Sequence, residues 1–198
     1  MSQPLPQVFL ARHGETAWSI SGQHTGRTDL PLTPRGERNA RALCPRLAGV
    51  AFDHVFTSPL QRARRTCELA GFGPGAAIDD DLVEWNYGRY EGRTTAEIRA
   101  ERPGWEIFHD GCPGGESLTE ITARADRVVV RLRALGGHVL LFSSAHFLRI
   151  LAPRWCGLDA SLGKFLDLDT ATVSMIGYRH NLDEPAIRLW NDGRHVVT

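Results

Sequence analysis

The chain has 198 residues, 42% hydrophobic and 23% charged, proportions of an ordinary globular protein that set disordered and fibrous classes aside. Lys plus Arg and Asp plus Glu each number 23, so the formal net charge is zero and nothing points to a general binder of nucleic acid or membrane surface. No apolar run approaches the roughly 20 residues of a membrane span. The opening MSQPLPQ lacks the basic and apolar regions of a secretion signal. Cys44, Cys67, Cys112 and Cys156 are scattered, with no spacing suited to zinc. Free thiols of this kind fit a reducing, cytoplasmic compartment.

Gln7–Ala11 (QVFLA) is short, apolar and bounded by polar residues, which predicts a buried strand. LTPRGERNARALCPRLAG follows as a helix, with Thr33 as N-cap, Pro34 in the first turn and Gly49 past the end. His54–Ser58 (HVFTS) reads as a second strand running into a helix in SPLQRARRTCELAG. There Ser58 and Gln61 form a capping-box pair, and Pro59 suits the first helical position. From Gly71 to Gly115 the chain is rich in Gly, Pro and charge. One short helix is expected in it, opened by Thr94 and Glu97, with Asp79, Asp80 and Asp81 capping or solvating a turn.

A Ser-x-x-Glu box, Ser117 with Glu120, opens a long amphipathic helix whose Ile121, Ala125, Val128, Val129 and Leu132 recur at helical spacing. His138–Ser143 (HVLLFS) is a nearly continuous apolar strand, followed by a helix from about Ala145 to Cys156 that Gly157 stops. ATVSMIGYRH and AIRLWN read as two late strands. Strands alternating with helices predict an α/β sandwich with a mostly parallel sheet, in one domain spanning 1–198.

Ligands of such sheets bind beyond the carboxyl ends of the strands. Three strand ends carry reactive residues: Arg12 and His13, then Ser58 with Arg62, then Ser144 with His146. A phosphate monoester needs positive donors, and the planar fork of arginine matches its oxygens. A neutral imidazole is then a competent nucleophile, and neighbouring guanidinium charge keeps it unprotonated. A carboxylic acid can protonate the leaving alkoxide, and Glu84 in DDDLVEWNYGRYEG is the candidate. The plainer reading stays open at this level. A histidine after a strand is commonly structural, and Arg62, Arg64 and Arg65 could form a solvated helix face.

ARHGETAWSISGQHTGRTDLPLTPRGERNA, FTSPLQRARRTCELA, LVEWNYGRYEG and CPGGESLTEITARADRVV, in that order, resemble the motifs of the histidine phosphatase superfamily, also called phosphoglycerate-mutase-like. The resemblance covers nearly the whole chain. It implies a three-layer sandwich of the phosphoglycerate-mutase type, with His13 as the nucleophile that becomes phosphohistidine and Arg12 and Arg62 as phosphate ligands. It implies Glu84 as proton donor and then base. It places further phosphate contacts at Thr25 and the backbone near Gly26, and requires neither metal nor cofactor.

Two departures stand out. Ser19 replaces a usual Asn. More seriously, alignment on Leu148–Arg149 puts Ser144–Ala145 where the family has His-Gly, with His146 two places later. Either His146 supplies the second imidazole through an altered turn, or Ser144 acts as a weaker donor, or the site is impaired. Period-two geometry would put 144 and 146 on one side, whereas a helix separates them by about 200°.

The length and EWNYGRYEG resemble the compact phosphatase branch more than the longer mutases. The expected activity is hydrolysis of small phosphomonoesters, sugar phosphates foremost. Residues about 92–115 would cap the site, and Trp85, Tyr87, Trp105, Phe108 and His109 would offer surface for the substrate. For Trp105 and Phe108, ordinary packing is an equal alternative. Mutase-type phosphoryl transfer and an impaired phosphate-ligand binder remain the competing readings. The expected partner is a small phosphorylated metabolite, with no nucleic acid or membrane, for a monomer or homodimer.

Overall fold

The computed structural model describes residues 5–196. In chain order its elements are β1 (Gln7–Arg12), α1 (Ala17–Ser21), α2 (Pro34–Leu47), β2 (His54–Thr57), α3 (Gln61–Leu69), β3 (Ala77–Ile78), α4 (Thr95–Glu101), α5 (Ile107–Asp110), α6 (Leu118–Leu135), β4 (His138–Ser143), α7 (Ala145–Trp155), β5 (Val173–Tyr178) and β6 (Pro185–Asp192). The strands form one sheet in the order β3-β2-β4-β1-β5-β6. β3, β2, β4 and β1 run parallel, and β5 and β6 continue the sheet antiparallel.

The apolar runs of β1 and β4 follow from burial on both faces. Side chains alternate, so Val8 and Leu10 join Val139, Leu141 and the α6 and α7 residues Val128, Leu148 and Leu151 on one side. Phe9 and Ala11 join Leu140, Phe142 and the α2 residues Leu43 and Leu47 on the other. The result is a three-layer α/β sandwich with a mostly parallel central sheet. Among the described residues no helix is long and apolar enough to cross a membrane.

Local signals set several boundaries. The Thr33 hydroxyl accepts the Gly36 N–H at 3.0 Å and opens α2. Ser117 and Glu120 close a reciprocal capping box at the start of α6, and Thr94 with Glu97 does the same for α4. The Asp79 carboxylate accepts the Asp81 N–H at 3.0 Å, and Asp81 then pairs with Arg127 at 2.7 Å.

The capping box expected at Ser58 and Gln61 is not formed, and Pro59 lies outside the helix. α3 starts at Gln61, whose N–H donates instead to Asp29 Oδ1 at 2.8 Å. A loop 32 residues away in sequence caps the helix, which no local pattern records. The 71–115 region also holds more structure than one helix. α5 and three single 3₁₀ turns lie there, each too short to show a period.

Backbone bonds gather the strand ends. His13 N–H donates to the Ser143 carbonyl and Ser58 N–H to the Phe142 carbonyl, each at 2.9 Å. β4 lies between β1 and β2, so three segments distant in sequence open onto one edge. Gly14 meets Gly36 there, because a Cβ on Gly14 would sit 2.6 Å from the Gly36 carbonyl oxygen. The glycine after Arg12–His13 and the glycine of the LTPRG turn are thus two sides of one backbone contact.

Candidate active site

A cavity of about 180 Å³ opens at these strand ends, and Arg12, His13, Ser19, Thr25, Glu84, Tyr87 and His146 all line it. Arg62, Gly26 and Ser144 are buried and do not form its wall.

His13, only 5% exposed, follows β1 directly. Its Nδ1 lies 2.8 Å from the Gly14 carbonyl oxygen. A carbonyl only accepts, so Nδ1 carries the hydrogen and Nε2 keeps its lone pair. Burial, then the Arg62 and Arg12 charges, hold this imidazole well below its ordinary pKa. It is neutral at neutral pH. The Gly14 N–H donates to Thr66 Oγ1 at 2.9 Å and anchors the turn to α3.

The two arginines hold themselves on carbonyls. Arg62 is fully buried and donates to the carbonyls of Thr28, Thr25 and Gly26 at 2.9, 3.0 and 2.9 Å. Arg12 donates through Nη1 to the Leu168 carbonyl. In both residues the buried Nε–H has no partner. An unsatisfied buried donor is costly, and an anion is the ligand that would satisfy these two.

Glu84 lies just after the 3₁₀ turn Asp80–Leu82, on a segment braced by Arg124 of α6. That guanidinium donates to the carbonyls of Asp81 and Val83 at 2.8 and 2.7 Å and to both oxygens of Glu116. Glu116 Oε2 also accepts the Asn86 N–H at 2.8 Å, so the late Gly-Glu-Ser motif supports the Glu84 segment. Glu84 Oε1 accepts two N–H groups, from Trp85 and Phe147, while Oε2 accepts one, from His146. Oε2 therefore keeps a lone pair for a transferred proton.

Where the resemblance implies a second imidazole, Ser144 is the N-cap residue of α7 and His146 lies in the first helical turn. Ser144, 1% exposed, has an Oγ with no partner. The imidazole of His146 reaches the cavity. Its Nδ1 is 2.7 Å from Tyr87 Oη, and its Nε2 is 3.4 Å from Arg149 Nη1. Arginine cannot accept, so Nε2 is the acceptor and Nδ1–H donates to Tyr87, which frees the phenolic hydrogen for another acceptor. Burial, then the Arg149, His24 and Arg12 charges, keep His146 well below its ordinary pKa, and burial raises that of Tyr87 well above.

Other expected contacts are placed differently. The Ser19 hydroxyl accepts from Thr16 N–H and donates to the Thr16 carbonyl, both at 2.9 Å, closing a capping box for α1. The Gly26 N–H, the expected backbone phosphate donor, is spent on Glu91 Oε1 at 2.8 Å. Trp85 is core, with its indole N–H on the Glu116 carbonyl. The His109 side chain is 86% exposed and pairs with Asp110 rather than facing the cavity.

Sequence reasoning missed His24, Trp18 and Gln23, which also line the cavity. His24 immediately precedes Thr25 in the motif-like QHTGRTD, and that adjacency was the available signal. Burial lowers its pKa to about 4. Among the described residues no group of three or more His, Cys, Asp or Glu side chains could hold a metal ion.

The profile of the histidine phosphatase superfamily, branch 1, matches residues 8–193. An acid phosphatase of Mycobacterium tuberculosis is 37% identical over 91% of each chain. A sedoheptulose 1,7-bisphosphatase of Saccharomyces cerevisiae is 36% identical over 98% of this chain and 87% of its own. A protein of Photorhabdus laumondii named as a probable phosphoglycerate mutase is 33% identical over 88% and 86%. Among solved structures, an open reading frame product of M. tuberculosis superposes with a TM-score of 0.88 at 34% identity, covering 95% of this chain and 98% of that one. The alpha-ribazole phosphatase of Shigella flexneri gives 0.82 at 26% identity, covering 94% and 96%.

Proposed function

The chain belongs to the histidine phosphatase superfamily, and from that premise we propose a phosphatase that hydrolyses small phosphomonoesters, sugar phosphates foremost, through a phosphohistidine on His13 and without a metal. The observation that carries this reading is the state of His13: a neutral imidazole with its Nε2 lone pair free, beside two guanidinium groups whose Nε–H donors are unpartnered. The sugar-phosphate preference draws support from the bisphosphatase relative.

In the first step the Nε2 lone pair attacks phosphorus and the ester P–O bond breaks. The leaving oxygen takes a proton from Glu84, while Arg12 and Arg62 balance the equatorial phosphoryl charge. In the second step water attacks the phosphohistidine and gives a proton back to Glu84. The N–P bond then breaks, returning the lone pair to His13 and releasing phosphate. The segment 92–115 provides the substrate-facing cap, contributing Thr95, Arg99, Trp105 and Phe108 to an adjoining chamber.

The test is turnover of p-nitrophenyl phosphate and a panel of sugar phosphates with and without EDTA. Phosphate release that resists EDTA and is lost in His13→Ala is the expected result. Retained turnover in that variant overturns the reading. Isomerisation of a phosphoglycerate without phosphate release would identify a mutase instead.

A further inference from the structure

His24 and His146, with ring centroids 6.0 Å apart, border the His13 cavity and also a second chamber of about 500 Å³. The two spaces adjoin at these imidazoles. Three cations line the second chamber: Arg149 from α7, Arg99 from α4 and Lys164 from the 3₁₀ turn after α7. Among the described residues none of the three lies within 4.0 Å of a carboxylate oxygen.

Arg149 is the built part of the chamber. Its Nε donates to the Gly163 carbonyl at 3.1 Å and its Nη2 to the Lys164 carbonyl at 3.2 Å. Its guanidinium lies 4.9 Å from the centre of the Phe108 ring. With one Nη1 hydrogen turned to His146, each Nη still has a hydrogen to give. Arg99 is oriented by its Nε on the Trp105 carbonyl at 2.8 Å. Glu106 is the one carboxylate on the wall, and its Oε1 accepts the Phe108 N–H at 3.1 Å. Ile107, Phe108 and Trp105 supply apolar wall against which carbon can pack.

We propose that this chamber is a second anion subsite, which takes the second phosphate or carboxylate of a substrate whose first phosphate sits against His13. The inference rests on the phosphatase reading for its orientation, with the scissile phosphate in the His13 cavity. It narrows the substrate class to short, two-anion phosphomonoesters. Guanidinium forks and an ammonium suit either anion, and Arg149 has one hydrogen left on each Nη to offer it.

Calorimetric binding to the non-turning-over His13→Ala protein tests it with two matched pairs. Fructose 1,6-bisphosphate against fructose 6-phosphate reads a second phosphate, and 3-phosphoglycerate against glycerol 3-phosphate reads a carboxylate. The two-anion member of at least one pair is expected to bind about tenfold tighter, with a steeper loss in salt, and the pair that shows it identifies the anion. Lys164→Gln and Arg99→Gln, both at exposed positions, should each remove about threefold of that difference. Arg149→Gln should remove most of it, read only where its Tm is retained. Equal affinities within both pairs, absence of binding by every probe, or a difference that survives all three variants overturns the subsite. Wild-type turnover of p-nitrophenyl phosphate, which carries no second anion, reports separately on the phosphatase reading.

Discussion

Glu84 caps helix α7: its Oε1 accepts the backbone N–H of Phe147 at 2.9 Å. The carboxylate proposed for proton transfer therefore also holds the turn that presents His146. Ser144 occupies the N-cap position without a side-chain bond, and Glu84 does its work from another segment.

This double duty separates two substitutions. Glu84→Gln keeps an acceptor for two of the three N–H groups, so its Tm should stay within a few degrees while kcat falls about 10²–10⁴-fold. Glu84→Ala leaves all three unsatisfied and should also cost about 2 kcal/mol of stability. Thermal melts beside p-nitrophenyl phosphate kinetics check both. Full activity in Glu84→Gln would leave the residue a helix cap alone.

The lowered pKa of His13 sets the acid limb of the pH profile. In the proposed reaction the neutral imidazole is the active form, and its folded pKa lies below the ordinary 6.5, so kcat/KM should hold as pH falls through 6.5 and decline only well below it. Arg62→Gln removes one of the charges that depress it and should move the limb upward. Arg62→Lys, which keeps the charge, should restore its position. A limb centred at 6.5 in the native protein would contradict the electrostatic argument.

His146 and Ser144 make different contacts, and their variants should differ. Ser144→Ala deletes a hydroxyl that has no partner in the structure, whereas His146→Ala deletes the link between Arg149 and Tyr87. Rapid-quench decay of the phosphoenzyme should slow about 10²-fold in His146→Ala and far less in Ser144→Ala. The reverse ranking would make His146 a structural residue.

Gly36 stands against the loop that follows His13. A Cβ there would lie 2.3 Å from the Glu15 carbonyl oxygen and 2.8 Å from its nitrogen, both backbone atoms. Gly36→Ala should cost about 1–3 kcal/mol and lower activity by displacing the His13–Glu15 turn. Gly75→Ala, with nothing within 4 Å of the added carbon, is the control and should leave both Tm and turnover within error.

Arg12, His13, Arg62 and Glu84 were picked out by the family resemblance, whereas the amino-acid order alone determined the strands β1 and β4 and the helices α2, α4 and α6 with their caps. These rest on local signals: unbroken apolar runs, helical periodicity, and a capping side chain three residues from its partner. The same locality misplaced the start of α3, because its cap is Asp29, and passed over α5, which is one turn long.

What only the tertiary structure decided is the direction of side chains around the cavity. The helix beginning at Ala145 turns Ser144 and His146 apart, so the imidazole reaches the cavity while the hydroxyl stays buried beside it. Arg149 and Lys164 face Arg99 across a chamber, and His24 stands between that chamber and His13. A sequence records spacing along one chain, whereas these relationships depend on where separate helices pack upon the sheet.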